Sequence, residues 1–461
     1  MESMEAKSHS VMESLRLGSP QDIYYYTQGT CTKQSIPTVV DNRFYQALNN
    51  LRQGSSTFII SVDQGLSDVI LGAELPAQGG DVDYTGLALP RGWLYQLINR
   101  ISVRYGSSSQ YFWTGAQVLV ENLREMPNPT TRDQLFQLGG AAMVGGVVGS
   151  PASAGDFAGD NLYAYAYLNL PHNSPNGSLS KPNPFPTELI GQPVVVTVEM
   201  NFLPGIFSSV AGGTGSLVGA PQALSDAYFQ IKQIHAKDAG ELMSMPGGKG
   251  HAYSFPTKAF YQNEIQVNLS GQTTYQPLLT GFRNGEVRSI IFWITKDSEV
   301  AGTVTPAGFA KNFTNYYLPK DIQLLYNGTV YFRAEGPASQ MWNLISTETP
   351  SQLPATVLSA TAGSVTVEPA TANWVEIPFS QVFEQLSGSH MYVSGKMIQN
   401  AVVNLILTLP DTAAYTLHAV YSYNCNLMIA DRGCEYFFGW GNIKWVICNI
   451  KIKIDWIKKS I

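Results

Sequence analysis

The sequence predicts an all-β protein that contains two β-sandwiches in tandem. Three observations support this prediction. Short segments of alternating apolar and polar residues recur along the chain, 42 glycines and 26 prolines supply many turns, and a Gly/Pro-rich segment at 204–221 separates two stretches of similar pattern. No alternation of strand and helix patterns occurs, which disfavours a parallel α/β sheet. At 461 residues the chain is also too long for one ordinary core.

The composition indicates how such a protein presents its surface. Charged residues make up only 13% of the chain, against about a quarter in an average protein. The remaining surface must therefore be covered by neutral polar side chains or by partner molecules. This favours an assembling protein, although secreted carbohydrate-binding proteins share the same composition. The net charge of −6 gives the chain as a whole no electrostatic footprint for nucleic acid.

The first half begins with a polar segment. Residues 1–20 are predicted to form an N-terminal arm, and residues 21–203 the first sandwich. In the segment Leu97–Tyr105, apolar residues share one face of a strand while Arg100, Ser102 and Arg104 point the other way. Val194–Met200 alternates in the same manner. The long Gly/Ala/Ser stretch Gln134–Asn161 has no periodicity of its own, which predicts a functional or surface-forming loop.

Residues 204–221 are predicted to form a flexible linker, because they contain a Pro-Gly pair and the run Ala211–Gly215. After them the strand pattern starts again, and residues 222–438 are predicted to form the second sandwich. The predicted strands of this half are Tyr228–Ile234, Ile265–Leu269, Val287–Ile294, Ile322–Tyr326, Val330–Phe332, Val402–Leu409 and Ala419–Tyr423. A few short helices are expected besides the strands and long loops.

The last segment, residues 439–461, differs from the rest in charge. Five lysines against one aspartate give it +4, which leaves −10 for the other residues of the chain with net charge −6. Isoleucine and lysine alternate at 450–454, which predicts a strand with one cationic face. The segment is either a solvated extension or a contact with anionic lipid or nucleic acid. Its lysines are Lys444, Lys451, Lys453, Lys458 and Lys459.

No motif in the chain predicts catalysis or a cofactor. The glycines at 212–219 lack the spacing of a dinucleotide-binding turn, and residues 245–250 lack that of a phosphate loop. His235, Asp238 and His251 are interpreted as polar residues without a metal. A carbohydrate-stacking platform at Tyr24–Tyr26 is the alternative that fits a secreted carbohydrate-binding protein. We therefore expect a protein that is not an enzyme and takes no cofactor, metal or small-molecule substrate.

The cysteines bear on the compartment. Cys31, Cys425, Cys434 and Cys448 form no CxxC motif, and no signal segment opens the sequence. Free thiols in a reducing compartment are favoured, while a bridge between Cys425 and Cys434 stays open. Four glycosylation sequons then indicate only polar surface loops. No apolar run reaches membrane-spanning length, so membrane attachment would need a partner.

Several segments together resemble one protein family. Trp93–Leu123 reads WLYQLINRISVRYG, then WTG, and ends in Glu-Asn-Leu. This is similar to the first-domain signature of the major capsid proteins of nucleocytoplasmic large DNA viruses. Further segments resemble that family in the same order: Pro184–Met200, Ala227–His235, His251–Tyr253, Val287–Ile294, Ile322–Gly328, Ile377–Gly395 and Tyr421–Leu427.

The resemblance covers roughly residues 50–438, and no single motif in it is specific. Ser107-Ser108 and Gly433-Cys434 depart from the family pattern, which leaves the virus group undefined. Residues 439–461 have no counterpart. In this resemblance Ala227–His235 corresponds to the opening strand of the second domain.

The resemblance implies two tandem eight-stranded jelly rolls and a major capsid protein. Three subunits would form a pseudo-hexameric capsomer that tiles the icosahedral shell of a large double-stranded DNA virus. The implied partners are two further copies, neighbouring capsomers, minor capsid and penton proteins, and an internal membrane near the arm and tail. The implied location is the virion, assembled in the host cytoplasm. Loops such as Gln134–Asn161 and Val300–Pro319 would form outer towers or clamp neighbours.

Overall fold

The computed structural model describes most of the chain between Thr38 and Phe438. Besides single residues and pairs, the ranges it leaves undescribed are 1–37, 47–53, 61–64, 126–133, 146–156, 173–184, 210–219, 237–252, 257–259, 262–264, 280–284, 298–316, 336–353, 379–381, 385–389, 393–395, 399–402 and 439–461. The N-terminal arm, the basic tail and the loop at 300–316 therefore lie outside the described residues.

The described residues of the first half form eleven strands and several short helices. The strands are β1 (Thr38–Gln46), β2 (Gly54–Ile60), β3 (Gly65–Glu74), β4 (Leu87–Leu89), β5 (Ile98–Tyr105), β6 (Tyr111–Trp113), β7 (Met143–Val144), β8 (Tyr163–Tyr167), β9 (Val194–Met200), β10 (Ser208–Ser209) and β11 (Asp226–Ala236). The helices are α1 (Trp93–Leu97), α2 (Gly115–Glu125) and α3 (Thr187–Ile190), with 3-10 turns at Gly159–Leu162 and Leu203–Ile206.

In the second half, the secondary-structure elements that the structure describes are strands. They are β12 (Tyr253–Pro256), β13 (Phe260–Tyr261), β14 (Ile265–Leu269), β15 (Thr274–Tyr275), β16 (Gly285–Lys296), β17 (Asp321–Tyr326), β18 (Thr329–Glu335), β19 (Pro354–Thr361), β20 (Ser364–Thr371), β21 (Val375–Pro378), β22 (Val382–Glu384), β23 (His390–Tyr392), β24 (Lys396–Ile398), β25 (Val403–Thr408), β26 (Tyr415–Tyr423), β27 (Cys425–Ala430) and β28 (Gly433–Phe438).

Each half forms a sandwich of two antiparallel sheets. In the first sandwich the back sheet has the order β1-β11-β3-β8 and the front sheet the order β2-β9-β5-β6. In the second sandwich the back sheet is β13-β26-β16-β21 and the front sheet β15-β25-β17-β18. The two sheets of each sandwich contain eight strands in all. When these eight strands are numbered in chain order, both sandwiches have strands 1-8-3-6 in the back sheet and 2-7-4-5 in the front sheet. This is the order of an eight-stranded jelly roll, two Greek keys folded together.

Strand β11 completes the first sandwich, although the sequence assigns it to the second. It pairs along its length with β1, from Thr38 opposite Ala236, and with β3. Its residues Ala227, Phe229 and Ile231 are buried in the first core. The expected linker at 204–221 is therefore followed by a return to the first sandwich. The reason is that strand pairing is non-local, so a Gly/Pro-rich break marks a turn between strands as readily as a domain boundary.

The two most regular predicted strands are confirmed. Alternate residues of β9 are buried from Val194 to Met200, and the alternation in β5 buries Ile101, Val103 and Tyr105. The structure differs from the predicted strand Leu97–Tyr105 at its start, because Leu97 is the last residue of a helix, Trp93–Leu97, whose side chains are all buried. Gly92, in the left-handed region at φ 73°, precedes this helix. A buried helix shows no amphipathic stripe, so the pattern at Leu97 could not distinguish the two structures.

The segment Gln134–Asn161 is packed into the first sandwich where it is described, contrary to the expected surface loop. Met143 and Phe157 are buried, and the Phe157 ring stacks on Tyr84 with centroids 4.0 Å apart. Gly140 and Gly145 lie so close to Trp93 and to the Tyr84 carbonyl that a Cβ atom would collide. Its glycines therefore serve close packing, which explains why the segment has no periodicity of its own.

Candidate functional site: junction and outer sheet faces

The back sheet of the second sandwich is buried on both faces. Along β16, Ile290, Phe292 and Ile294 point into the second core. The intervening Ile291 and Trp293 belong instead to the core cluster of the first sandwich. Trp374, Val420 and Cys434 join them there, so five side chains of the second half are continuous with the first core. We call these five residues the junction. A buried apolar contact of this kind holds the two sandwiches together as one unit.

Polar contacts accompany the junction. His418 stacks on Trp293 with ring centroids 5.5 Å apart and planes 2° apart, and its Nε2 lies 2.9 Å from Thr295 Oγ1. On the other side, the Cys434 backbone N–H donates to Ser107 Oγ at 3.1 Å, and Ser107 Oγ–H lies 3.4 Å from the Cys434 carbonyl oxygen. These bonds connect strand β28 to the turn after β5, so the orientation of the two sandwiches is fixed by directional contacts as well as by burial.

A buried aromatic pair lies beside this contact. Tyr105 Oη is 2.7 Å from His172 Nδ1, and both side chains are fully buried. Burial raises the pKa of Tyr105 well above its usual value, so the phenol stays neutral at physiological pH. Tyr421 in the second core has its pKa raised by burial in the same way. Both phenols are therefore neutral groups buried in the two cores.

The outer face of the first front sheet is polar. Arg100 forms an ion pair with Glu199 at 2.5 Å and lies over the Phe112 ring, 5.0 Å from its centroid. Neighbouring cross-strand contacts join Thr57 to Thr197 and Gln110 to Ser102. Most polar groups of this face are thus matched within the sheet. Apolar side chains on this face are Ile59 on the edge strand β2, which is 62% exposed, its cross-strand partner Val195 on β9, and Phe112 on β6.

The outer face of the second front sheet is more apolar. The register places Leu325 opposite Val330 and Asn404, and Gln323 opposite Ile406, on the face away from the second core. Leu278 bridges to Asn404 on the same face. Val330 and Leu278 are 51% and 48% exposed, and Tyr331 beside them is 41% exposed. Leu325 and Ile406 are partly exposed between them. We call Leu278, Leu325, Val330, Tyr331 and Ile406 the second-front patch.

The sequence-predicted candidates are mostly not brought together. The five tail lysines, Tyr24–Tyr26, Asp238 and His251 lie outside the described residues, and His235 is placed on β11. Cys434 is buried, and its thiol is not in a disulfide. In the register of strands β27 and β28 it lies opposite Ile429, whereas Cys425 lies opposite Phe438. Within the described part of the chain, no group of three His, Cys, Asp or Glu side chains could hold a metal ion. No described helix is long and apolar enough to span a membrane.

The junction was not predicted as a site, yet the sequence contains a signal for it. Residues 290–294 form an uninterrupted apolar run, Ile-Ile-Phe-Trp-Ile. A strand exposed on one face alternates, whereas an uninterrupted run indicates burial on both faces.

All four tryptophans assigned to core or interface packing, at 93, 113, 293 and 374, are buried.

Several solved structures are similar to this chain in their overall fold. The chain is similar to a PBCV-1 VP54 crystal structure fitted into a reconstruction of the virophage Sputnik, with a TM-score of 0.56, 9% identity, and coverage of 90% of this chain and 99% of that one. A quasi-atomic model of the PBCV-1 capsid matches with a TM-score of 0.53 and 10% identity over the same shares. The Faustovirus major capsid protein matches with a TM-score of 0.54 and 11% identity over 87% and 91%.

The chain has the double jelly-roll fold. The strand order of the two sandwiches and the near-complete coverage of the similar chains agree on this point. In sequence, by contrast, the chain matches no protein-family model and no curated protein. At 9–11% identity, the likeness to these structures establishes the fold. The fold expected from the sequence is confirmed.

Proposed function

We propose that this double jelly-roll chain is the major capsid protein of a large double-stranded DNA virus. The observation that carries the proposal is the repetition of one strand order in two sandwiches that share a buried junction. Such a subunit is a rigid block with two similar lobes. Three copies around a threefold axis present six similar lobes, and a six-lobed block can tile the facets of an icosahedral shell. The similar solved structures include the PBCV-1 virus capsid and the Faustovirus major capsid protein.

The finer parts of the proposal follow from this role. The subunit assembles as a homotrimer, contacts neighbouring capsomers in the virion, and meets minor capsid and penton proteins and an internal membrane. Assembly takes place in the host cytoplasm. The chain acts through buried interface area, not as an enzyme, and takes no cofactor or small-molecule substrate. Lys444, Lys451, Lys453, Lys458 and Lys459 contact an anionic component inside the particle, either lipid or nucleic acid.

Light scattering coupled to gel filtration tests the central claim. The full chain is expected to elute as a stable species of three times 50.3 kDa, and electron micrographs should show six-lobed particles. A monomer that stays dispersed at high concentration and binds glycan columns would support the secreted carbohydrate-binding alternative instead. The fold comparison adds no observation in favour of that alternative. A chain shortened after Phe438 should still form trimers but lose binding to anionic vesicles or to DNA.

A further inference from the structure

The junction shows which surfaces the two sandwiches use to contact each other. The second sandwich contributes the outer face of its back sheet, through Ile291, Trp293 and Val420. The first sandwich receives it at the end where β5 stops and β9 starts. There Ser107, in the turn after β5, bonds to the backbone of Cys434, and helix α3 lies against β27. The contact within the chain therefore joins two different surfaces, a back-sheet face and the end of a sandwich.

Both surfaces have a counterpart in the other sandwich, because the two sandwiches share one strand order. Strands β3, β8 and β11 occupy in the first back sheet the positions that β16, β21 and β26 occupy in the second. The turn at Asn327–Gly328, between β17 and β18, occupies the position of the turn that contains Ser107. The counterparts of the junction surfaces are therefore the outer face of the first back sheet and the end of the second sandwich at the β17–β18 turn.

The outer face of the first back sheet is rich in tyrosine. Tyr163 is 41% exposed, and Tyr165 and Tyr167 on the same strand are partly exposed. Ile70, also partly exposed, lies between Tyr167 and Gln230 in the register. Tyrosine is enriched at protein interfaces, because its ring contributes apolar area while its hydroxyl finds a hydrogen-bond partner. We call the following residues the first back face: Asp68, Ile70, Glu74, Tyr163, Tyr165, Tyr167, Asp226, Tyr228, Gln230 and Lys232.

The chemical difference between the two back-sheet faces fits a difference in when each is covered. The junction is buried as the chain folds, and its side chains are mainly isoleucine, tryptophan and valine. The first back face combines its tyrosines with polar contacts: Tyr228 Oη–H donates to Tyr165 Oη at 3.3 Å, and Lys232 Nζ lies 4.0 Å from Asp68 Oδ2. Such a face is soluble on a free subunit and can still be covered on association, since interfaces between separately folded proteins are about as apolar as other protein surface.

We propose that the first back face packs onto the second sandwich of a neighbouring copy, at the end that carries the β17–β18 turn. The proposal rests on the proposed function and assigns the contact that holds the trimer together. The arrangement of the second sandwich on the first is repeated between chains, so intrachain and interchain contacts alternate around a ring of six sandwiches. The two surfaces of each contact differ, so the contact is head-to-tail and can close a ring, whereas a face that meets itself gives a dimer.

Two charge substitutions in the full-length chain test the assignment. Ile70→Glu places a charge in the middle of the first back face, where the contact would bury it without a partner. Thr329→Glu places a carboxylate beside the β17–β18 turn, where it would meet a face that carries three acidic residues and one lysine. Each substitution is expected to raise the concentration at which trimers dissociate by at least tenfold, measured by light scattering.

Ile59→Glu is the matched control, because it makes the same substitution on the front sheet of the same sandwich, where Ile59 is 62% exposed. It should leave the trimer unchanged. Circular dichroism and the thermal midpoint should show that all three variants are folded. Tyr163→Glu, at the most exposed tyrosine of the first back face, repeats the test if Ile70→Glu does not fold.

Mixing the two dissociated variants separates the outcomes. The Ile70→Glu chain keeps its receiving end and the Thr329→Glu chain keeps its first back face, so an equimolar mixture should form a pair of about twice 50.3 kDa. A trimer that survives Ile70→Glu, or one that Ile59→Glu dissociates, would overturn the assignment while the capsid proposal stands. Dissociation by Ile70→Glu but not by Thr329→Glu would also overturn it, because the receiving surface would lie elsewhere. A monomeric wild-type chain would refute the proposed function itself.

Discussion

The two sandwiches share one strand order but are stabilised differently. The first encloses helix α1, whose side chains are all buried, and packs Gly140 against Trp93 of that helix and Gly145 against the Tyr84 carbonyl. The core of the second consists mainly of strand residues, such as Ile290, Leu405 and Leu417. The outer face of its back sheet completes the core of the first sandwich. The second sandwich thus packs against the first through the outer face of its back sheet.

This difference shows how one fold can serve two roles within a chain. A jelly roll fixes which strands are neighbours, but it leaves the outer faces of its sheets free to vary. In the second sandwich one outer face is apolar and buried at the junction, and the other is partly apolar and exposed. In the first sandwich the equivalent front face carries cross-strand polar pairs, and Ile59 is its most exposed large apolar side chain.

The largest expected effect is at the junction. Trp293→Ala removes a fully buried indole that belongs to the first core and stacks on His418. We expect a loss of about 3–5 kcal/mol in the free energy of unfolding, and separate unfolding of the two sandwiches in calorimetry. Phe292→Ala, on the opposite face of the same strand, is the matched control. It should cost as much but act on the second sandwich alone. A single unchanged transition for Trp293→Ala would contradict the docking of the second sandwich on the first.

The next largest effect is expected within the first sandwich. A Cβ at Gly145 would lie 1.6 Å from the Tyr84 carbonyl oxygen, so Gly145→Ala forces β7 away from β4. We expect a loss of about 1–3 kcal/mol, the usual cost of overpacking, measured by denaturant unfolding. Gly205→Ala is the control, since its Cβ would meet no atom closer than 3.9 Å. Equal stability of the two variants would show that the 134–161 segment does not support the first core.

A smaller effect is expected at the polar edge of the junction. Ser107→Ala removes the hydroxyl that bonds to the backbone of Cys434 in strand β28. A hydrogen bond of this kind contributes about 1 kcal/mol. Amide exchange at Cys434 should become faster, while exchange within the second front sheet should not change. Faster exchange in both places would mean that Ser107 stabilises the whole chain and not the junction.

The smallest effect belongs to the second sandwich alone. Asp411 accepts a hydrogen bond from the Ala413 N–H, which lowers its pKa below the usual 3.8. Burial opposes this lowering, while Tyr415 Oη–H and the Lys296 ammonium add to it. A carboxylate whose pKa is lowered on folding contributes stability above its unfolded pKa and loses it as the pH falls through the folded pKa. Asp411→Asn should therefore lower stability at pH 7 and reduce its fall below pH 4. An unchanged acid profile would exclude this contribution.

Sequence patterns predicted the local structure well where one face of a strand is exposed. The alternation in Val194–Met200 and around Ile101 gave both the strand and its buried face, because a period of two is a property of the strand itself. Leu97, the last residue of helix α1, was predicted as the start of a strand, since a helix buried on all sides shows no period. The Gln134–Asn161 segment was interpreted as a surface loop because close packing through glycine leaves no apolar pattern.

The sequence by itself determined the all-β class, the presence of two sandwiches and, through ordered resemblances, the double jelly roll. Only the tertiary structure decided that β11 belongs to the first sandwich, that Trp293 joins the first core, and that Val330 is exposed on the second front sheet. The physical reason is the same in each case. Side-chain periodicity records that a strand has a buried face, but which strand or sheet covers it depends on pairing between residues far apart in the chain.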